Sequence, residues 1–240
     1  MNSILTSFVG LMMVSLTTMA DSVITPSDGF TAIYDLYNRG IRVAEMKRNL
    51  SQQDDGFYHF RSESHTVGLV SLFRDDQIIE ESTWKIENGT IKAVFYKYLH
   101  TGRKKQRNVT VDFDWERNQI INSVNGSSWE MPFTPGTLDK LLYQYLIMLD
   151  LESNKLPLSY IIADGGKEKI YDFELVGEEV IKTPLGDLLT LKIIQHKLNS
   201  DVQTTLWCAK DINYLPVKVE HIEHDGTTIA IINSLNGFGY

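Results

Sequence analysis

The side chains able to do chemistry are scattered along this chain. Its six histidines are His59, His65, His100, His196, His221 and His224. His59 and His65, six apart, fall on one face of a strand. His221-Ile222-Glu223-His224 is the tightest group. In a strand His221 and Glu223 share a face and His224 points away, so three-ligand chelation needs a bulge before Asp225. No His-Glu-x-x-His occurs. Asp112 and Asp114 lie about 6.8 Å apart on one strand face, a spacing that glycosidase carboxylates use. They alternate with Val109, Val111, Phe113 and Trp115, which reads as the wet face of a half-buried strand. Glu80-Glu81, Glu178-Glu179 and Asp54-Asp55 are further acidic pairs. Ser127-Ser128 makes no Gly-x-Ser-x-Gly, and no phosphate-loop glycine pattern occurs. The single cysteine, Cys208 in TLWCAK, cannot form an internal disulfide or a multi-cysteine metal site. Its strand-like surroundings suggest a buried small hydrophobe. The expectation is a protein with no catalytic residues, no metal site and no cofactor.

The composition narrows the partners. The 240 residues include 23 Lys+Arg and 31 Asp+Glu, a formal charge of −8, with 42% apolar and 10% aromatic residues. That is too apolar for a disordered chain and too acidic for a protein that grips a nucleic-acid backbone. One basic cluster, Arg103-Lys104-Lys105 with Arg107, reads as a charged hairpin loop that can touch anionic headgroups. Residues 1–20 carry no charged side chain and have an apolar core over Ile4–Leu16. Thr18 and Ala20 are small residues at −3 and −1 of a cut before Asp21. This is the outline of a secretory signal peptide, cleaved after Ala20, and places the mature chain in the periplasm. Later on, the longest apolar segment, Leu138–Leu151, contains Asp139, Lys140 and Asp150, which argues against a membrane span.

Strand signals dominate the elements that must hold these residues. Gly56–Ser64, Ile78–Ile86, Ile91–Leu99, Arg107–Trp115 and Asn118–Val124 are predicted strands, and Leu69–Phe73 is a short apolar run. Asn88-Gly89 and Asp225-Gly226 are two-residue hairpin signals. In Ile91–Leu99 simple alternation puts Ala93, Phe95 and Leu99 on one side and Tyr96 and Tyr98 on the other. After Pro157 come Leu158–Ala163, Lys167–Gly177, Asp187–Lys197, Val202–Ala209, Tyr214–His224 and Thr227–Ser234. One segment differs. Thr134 and Pro135 suit a helix start, and Leu138, Leu141, Leu142, Tyr145, Leu146 and Leu149 recur at helical spacing. The fold expected is mostly β: a large curled antiparallel sheet or open barrel of about ten to twelve strands. It carries one central amphipathic helix at about 135–151, all in a single domain over 21–240.

Three stretches carry a resemblance. They are Thr134-Pro135-Gly136-Thr137-Leu138-Asp139 with the tyrosine-bearing helix behind it, Val180 to Thr183-Pro184-Leu185-Gly186 before a long strand, and Leu206-Trp207 with Asp211 and Leu215-Pro216-Val217-Lys218-Val219-Glu220. Over about residues 30–235 the chain resembles an uncharacterised family of bacterial periplasmic proteins, a domain of unknown function with a barrel-like antiparallel sheet. At the level of fold it looks like the lipoprotein carriers of the bacterial envelope, whose curved sheet wraps apolar cargo. The resemblance brings no catalytic residue. The export signal, the curled sheet and the amphipathic helix together point to a non-enzymatic envelope protein that binds a lipid or other apolar ligand between sheet and helix. The expected lining is Leu138, Leu142, Tyr145, Leu146, Phe113 and Trp115, which would equally serve as plain core. A structural or protein-interaction module of the envelope, with an envelope protein as partner, is the second reading. A carboxylate hydrolase is the third. Peripheral membrane contact fits the first two.

Overall fold

The computed structural model describes residues 29–238 except 74, 103–105, 197–200 and 225. The expected signal segment 1–20 and the basic Arg103-Lys104-Lys105 lie outside the described residues. The strands are β1 Phe30–Asn38, β2 Ile41–Gln52, β3 Tyr58–Thr66, β4 Gln77–Glu87, β5 Thr90–Thr101, β6 Arg107–Asp114, β7 Gln119–Val124 and β8 Ser127–Pro132. One helix, α1 Leu142–Glu152, follows. Then come β9 Leu158–Ala163, β10 Glu168–Thr183, β11 Gly186–His196, β12 Gln203–Ala209, β13 Leu215–Glu223 and β14 Gly226–Gly237. All fourteen described strands form one antiparallel sheet, ordered β8 to β1, then β14 down to β9. Two meanders are thus joined where β1 pairs with β14. The strand count exceeds the ten to twelve expected, chiefly because β1 and β2 precede the first alternation that the sequence shows clearly.

Turn chemistry sets the hairpins. Asn88-Gly89 has positive φ at both positions, 52° and 74°, as a two-residue hairpin turn of this kind requires. Alternation fails once in β5. A register shift opposite Thr83/Trp84 brings both Ala93 and Tyr96 to the buried side, where simple alternation puts them on opposite faces. An extra residue in one strand reverses the pleat beyond it. The Leu69–Phe73 run also departs from a strand. A 3-10 turn occupies Gly68–Leu72, and Leu69, Leu72 and Phe73 stand 80%, 64% and 78% exposed.

The helix starts later than expected. Helical spacing predicts an onset near 135, yet α1 begins at Leu142. Three features redirect the chain first. Gly136 has φ 96°, outside helical space. Glu168 accepts hydrogen bonds from the Thr134 amide and from the Thr134 and Thr137 hydroxyls. Leu138 then forms a short parallel bridge to β9, its N–H donating to Ile161 and its carbonyl accepting from Ala163, both at 2.9 Å. This segment covers part of the exposed edge of β9, where unpaired backbone groups would invite association. Across the gap, a Cβ on Gly166 in the β9–β10 turn would lie 2.6 Å from the Trp129 ring of β8. The two sheet edges meet there without a ladder between them.

Helix α1 is buried around its whole circumference rather than along one stripe. Leu142, Tyr145, Ile147, Met148 and Leu151 are all buried. That pattern marks a helix inside a core. Its contacts reach opposite halves of the sheet. Tyr145 lies 5.5 Å from Trp84 on β4, while Tyr143 lies 6.0 Å from Phe173 on β10. The sheet therefore curls around the helix.

Candidate functional site

The antiparallel order places the β1–β2, β3–β4, β5–β6 and β7–β8 connections at one end of the sheet, here called the rim. The β2–β3, β4–β5 and β6–β7 turns lie at the opposite end. Register then gives the concave surface of β1–β7 as successive rungs, since residues two apart share a face. A lower rung runs Phe30, Leu50, Phe60, Ser82, Tyr96, Val111 and Asn122 across the seven strands. Every member is buried. The next rung toward the rim runs Ala32, Arg48, Ser62, Glu80, Tyr98, Val109 and Val124. Only Ala32 and Ser62 there are buried. Above it, Tyr34 on β1 is buried, while Met46, Ser64, Ile78 and His100 are half-buried. The concave face is closed by the helix below and accessible above.

Polar groups gather at the boundary. Asp139 is fully buried ahead of α1. Its carboxylate accepts from the amides of Leu141 and Leu142 at 2.8 Å each and from the Ser82 hydroxyl at 2.6 Å. It satisfies helix N-terminal donors as a capping carboxylate does. Burial pushes its pKa up to about 6, against those same hydrogen bonds. Beside it, the Tyr96 hydroxyl donates to Glu80 at 2.6 Å. Burial, then the Glu80 charge, raise the Tyr96 phenol far above its ordinary value. The Tyr143 phenol is also raised, chiefly by burial. Arg48 opposes that rise, and Glu80 and Asp164 add to it. Arg48, Glu80 and Tyr143 thus face one another electrostatically.

Arg48 is the unusual member. It projects inward on β2, with its guanidinium carbon 5.8 Å from the Tyr34 ring centre and 6.0 Å from that of Phe60. Its Nε is buried and has no hydrogen-bond partner. Trp84 Nε1 and Asn122 Nδ2 are likewise buried without partners. The sequence pattern predicts no strand over β2, and Arg48 is absent from the expected lining. The signal was present nonetheless: Ala44, Met46, Arg48 and Leu50 alternate against Glu45, Lys47 and Asn49, which sets an arginine in an apolar phase.

The six lining residues expected from sequence lie in or against one core. Leu138, Leu142, Tyr145 and Phe113 are buried. Leu146 and Trp115 pack at the core's margin. Phe113 and Trp115 meet Phe133 edge-on at 5.8 and 4.9 Å, whereas Tyr145 packs at a tilt against Trp84. The three aromatic members thus fall into two separate ring clusters. An open cleft of about 250 Å³ lies elsewhere, where the β10–β11 turn at Lys182–Pro184 meets Asp35, Tyr37 and Ile231.

The remaining reactive side chains are spread out. Among the described residues no three His, Cys, Asp or Glu side chains come together as a metal would require. His59 bonds Thr83, His221 bonds Thr204 and Glu223, and His100 lies 3.5 Å from Asp76. Asp112 is exposed on the outer face, while Asp114 accepts from the Arg117 amide. Cys208 is buried, and burial raises its thiol pKa, which keeps it protonated and unreactive. Among the described residues no helix is long and apolar enough to cross a membrane.

A family and a solved fold match this chain. Residues 33–232 match the family described as "Protein of unknown function (DUF3108)". The crystal structure of a beta-barrel-like protein of domain of unknown function DUF1849 from Brucella abortus is similar in fold. It has a TM-score of 0.58 and 9% identity, and covers 88% of this chain and 98% of its own. A structure described as a "putative lipoprotein" from Parabacteroides distasonis ATCC 8503 has a TM-score of 0.34 at 14% identity, over 87% of this chain and 95% of its own. No curated protein matches.

Proposed function

The chain belongs to DUF3108, a family of unknown function, and on that premise we propose that it is a non-enzymatic protein of the cell envelope that holds a lipid-like ligand. The ligand sits on the concave face of the sheet, above the N-terminal end of α1. One observation carries this reading. The inward surface is fully closed along the lower rung and half-open along the next two, where Met46, Ile78 and Val109 offer apolar walls. Such a surface, apolar with a few convergent polar groups, suits a small amphipathic molecule. The uncharged, apolar segment 1–20 supports export to the periplasm. The same reading takes the exposed Leu69, Leu72 and Phe73 at the rim as a peripheral contact with the envelope membrane or with an envelope protein.

Native mass spectrometry of the protein isolated from its own envelope tests the reading. A co-purifying species with the mass of a lipid, released by organic extraction, is the expected result. A protein that arrives bare and takes up no added fatty acid, alcohol or lysolipid would refute it.

A further inference from the structure

The half-open rung has one feature that its apolar walls do not explain. An arginine, permanently charged and carrying five N–H donors, points into the sheet interior with its Nε buried and unbonded. Arg48 takes part in no ion pair among the described residues. Its nearest acidic neighbour by register is Glu80, two strands away across Ser62, hence about 10 Å between backbones. Glu80 is itself engaged by the Tyr96 hydroxyl. Asp139 is occupied by Ser82 and two helix amides, and Asp164 by Lys140 and Lys169. Each nearby carboxylate therefore has its own donors. The guanidinium carbon lies 5.8 Å from the Tyr34 ring centre and 6.0 Å from that of Phe60, within reach of a cation–π attraction that uses none of its N–H donors. A buried donor without an acceptor is costly to keep, and a guanidinium fork matches the two oxygens of a carboxylate or phosphate.

We infer that Arg48 anchors the anionic head of an amphiphile, a carboxylate or a phosphate ester, whose tail runs along Met46, Ile78 and Val109 toward the rim. This rests on the ligand-binding reading above and specifies its ligand class. The site is positioned for it: Arg48 stands at the boundary where the closed rung gives way to the half-open one, so a head bound there leaves the tail only one direction. Arg107, in register with His100 at the rim and exposed, adds positive charge along the way in.

The test compares paired probes that differ only in the head. Dissociation constants are measured by calorimetry for palmitic acid against hexadecanol, and for lysophosphatidic acid against monoacylglycerol. The wild-type chain is expected to prefer at least one anionic probe by about tenfold or more, the scale of one charge-assisted hydrogen bond. The pair that shows the preference distinguishes a carboxylate from a phosphate. Arg48→Met is expected to bring that ratio close to one while keeping the affinity for the neutral probe. Arg48→Lys is expected to keep part of the preference, as a point charge without the fork. Circular dichroism checks that both variants fold. If Arg48→Met does not fold, the wild-type ratios and Arg48→Lys decide. Wild-type chain that binds neutral and anionic probes equally overturns the role of Arg48 and leaves the ligand-binding reading standing. Wild-type chain that binds none of the four overturns both.

Discussion

Two adjacent rungs of one sheet, separated by two residues along each strand, face opposite physical demands. The lower rung is buried at all seven positions and closes against α1, with the Trp84 and Tyr145 rings in tilted contact nearby at 5.5 Å. The rung above it has the same seven strands and the same inward phase, yet its members include Arg48, Glu80 and Tyr98 and most are half-buried. Strand order and twist are common to both, so the difference comes from what stands in front of them. The helix fills one half of the curl and stops. Its first residues, capped by Asp139, form the boundary. The helix is the plug that gives this barrel-like sheet a core. Stability is thereby separable by position from the ligand binding proposed for the upper rung.

The largest effect is expected where the plug is tightest. Leu142 is fully buried at the first turn of α1. Leu142→Ala removes buried methyl groups and leaves a cavity between helix and sheet, at a cost of about 3–5 kcal/mol. Urea titration followed by tryptophan fluorescence measures it. A loss below about 1 kcal/mol would mean that the sheet holds its curl without the helix, and the contrast between the two rungs would lose its cause.

The boundary itself should respond to pH. Burial sets the Asp139 pKa at about 6 in the folded chain, against an ordinary value of 3.8. Between those values the folded chain keeps a proton that the unfolded chain releases. The Asp139 contribution to stability is therefore largest below about pH 4, falls as pH rises toward about 6, and then levels, a difference of about 3 kcal/mol. Asp139→Asn cannot ionise, and its amide oxygen still accepts from Leu141 and Leu142. The variant should lose this slope while other carboxylates titrate as before. The difference between the two urea midpoint curves over pH 4–7 isolates the effect. Parallel curves would show that Asp139 is ionised throughout and stabilised by its three donors.

Sequence disclosed the two rungs unequally, for reasons visible in single residues. β6 was plain because Val111 and Phe113 alternate with Asp112 and Asp114, and the Asn88-Gly89 turn announced its hairpin directly. β1 and β2, which join the two meanders, were missed. In β1 Phe30, Ala32 and Tyr34 alternate as buried residues, but Ile33 and Tyr37 on the opposite phase blur the apolar–polar pattern, and in β2 an extra residue at Val43 shifts the register and Arg48 occupies an apolar phase. Helical spacing found α1 but set its start seven residues early. Periodicity does not register that Glu168 and Ile161, distant in sequence, bind Thr134–Leu138 first. The residues chosen as a ligand lining were the most apolar ones near the helix. Leu138, Leu142, Tyr145 and Phe113 are buried in the core and Leu146 and Trp115 pack at its margin. The half-open surface is made of mixed residues whose common face becomes evident only once the register across β1–β7 is known.

The smallest stability effect, and the sharpest functional one, belongs to Ile78. It lies inward one rung above Glu80 and is half-buried. Ile78→Ala removes side-chain volume at a place where solvent or ligand, rather than packed core, stands in front of it. The cavity cost that burdens Leu142→Ala is largely absent, so the stability loss should be about 1 kcal/mol or less, the lost transfer energy of partly exposed methyl groups. Binding of a long-chain probe should weaken more than tenfold, because the tail loses a wall that the free protein does not need. Taken together, Leu142→Ala with large destabilisation and Ile78→Ala with weak destabilisation but poor binding would separate plug from basin. If Ile78→Ala instead destabilises the fold as strongly as Leu142→Ala and leaves probe binding intact, the upper rung is core like the lower one. The ligand would then have to be sought away from this face.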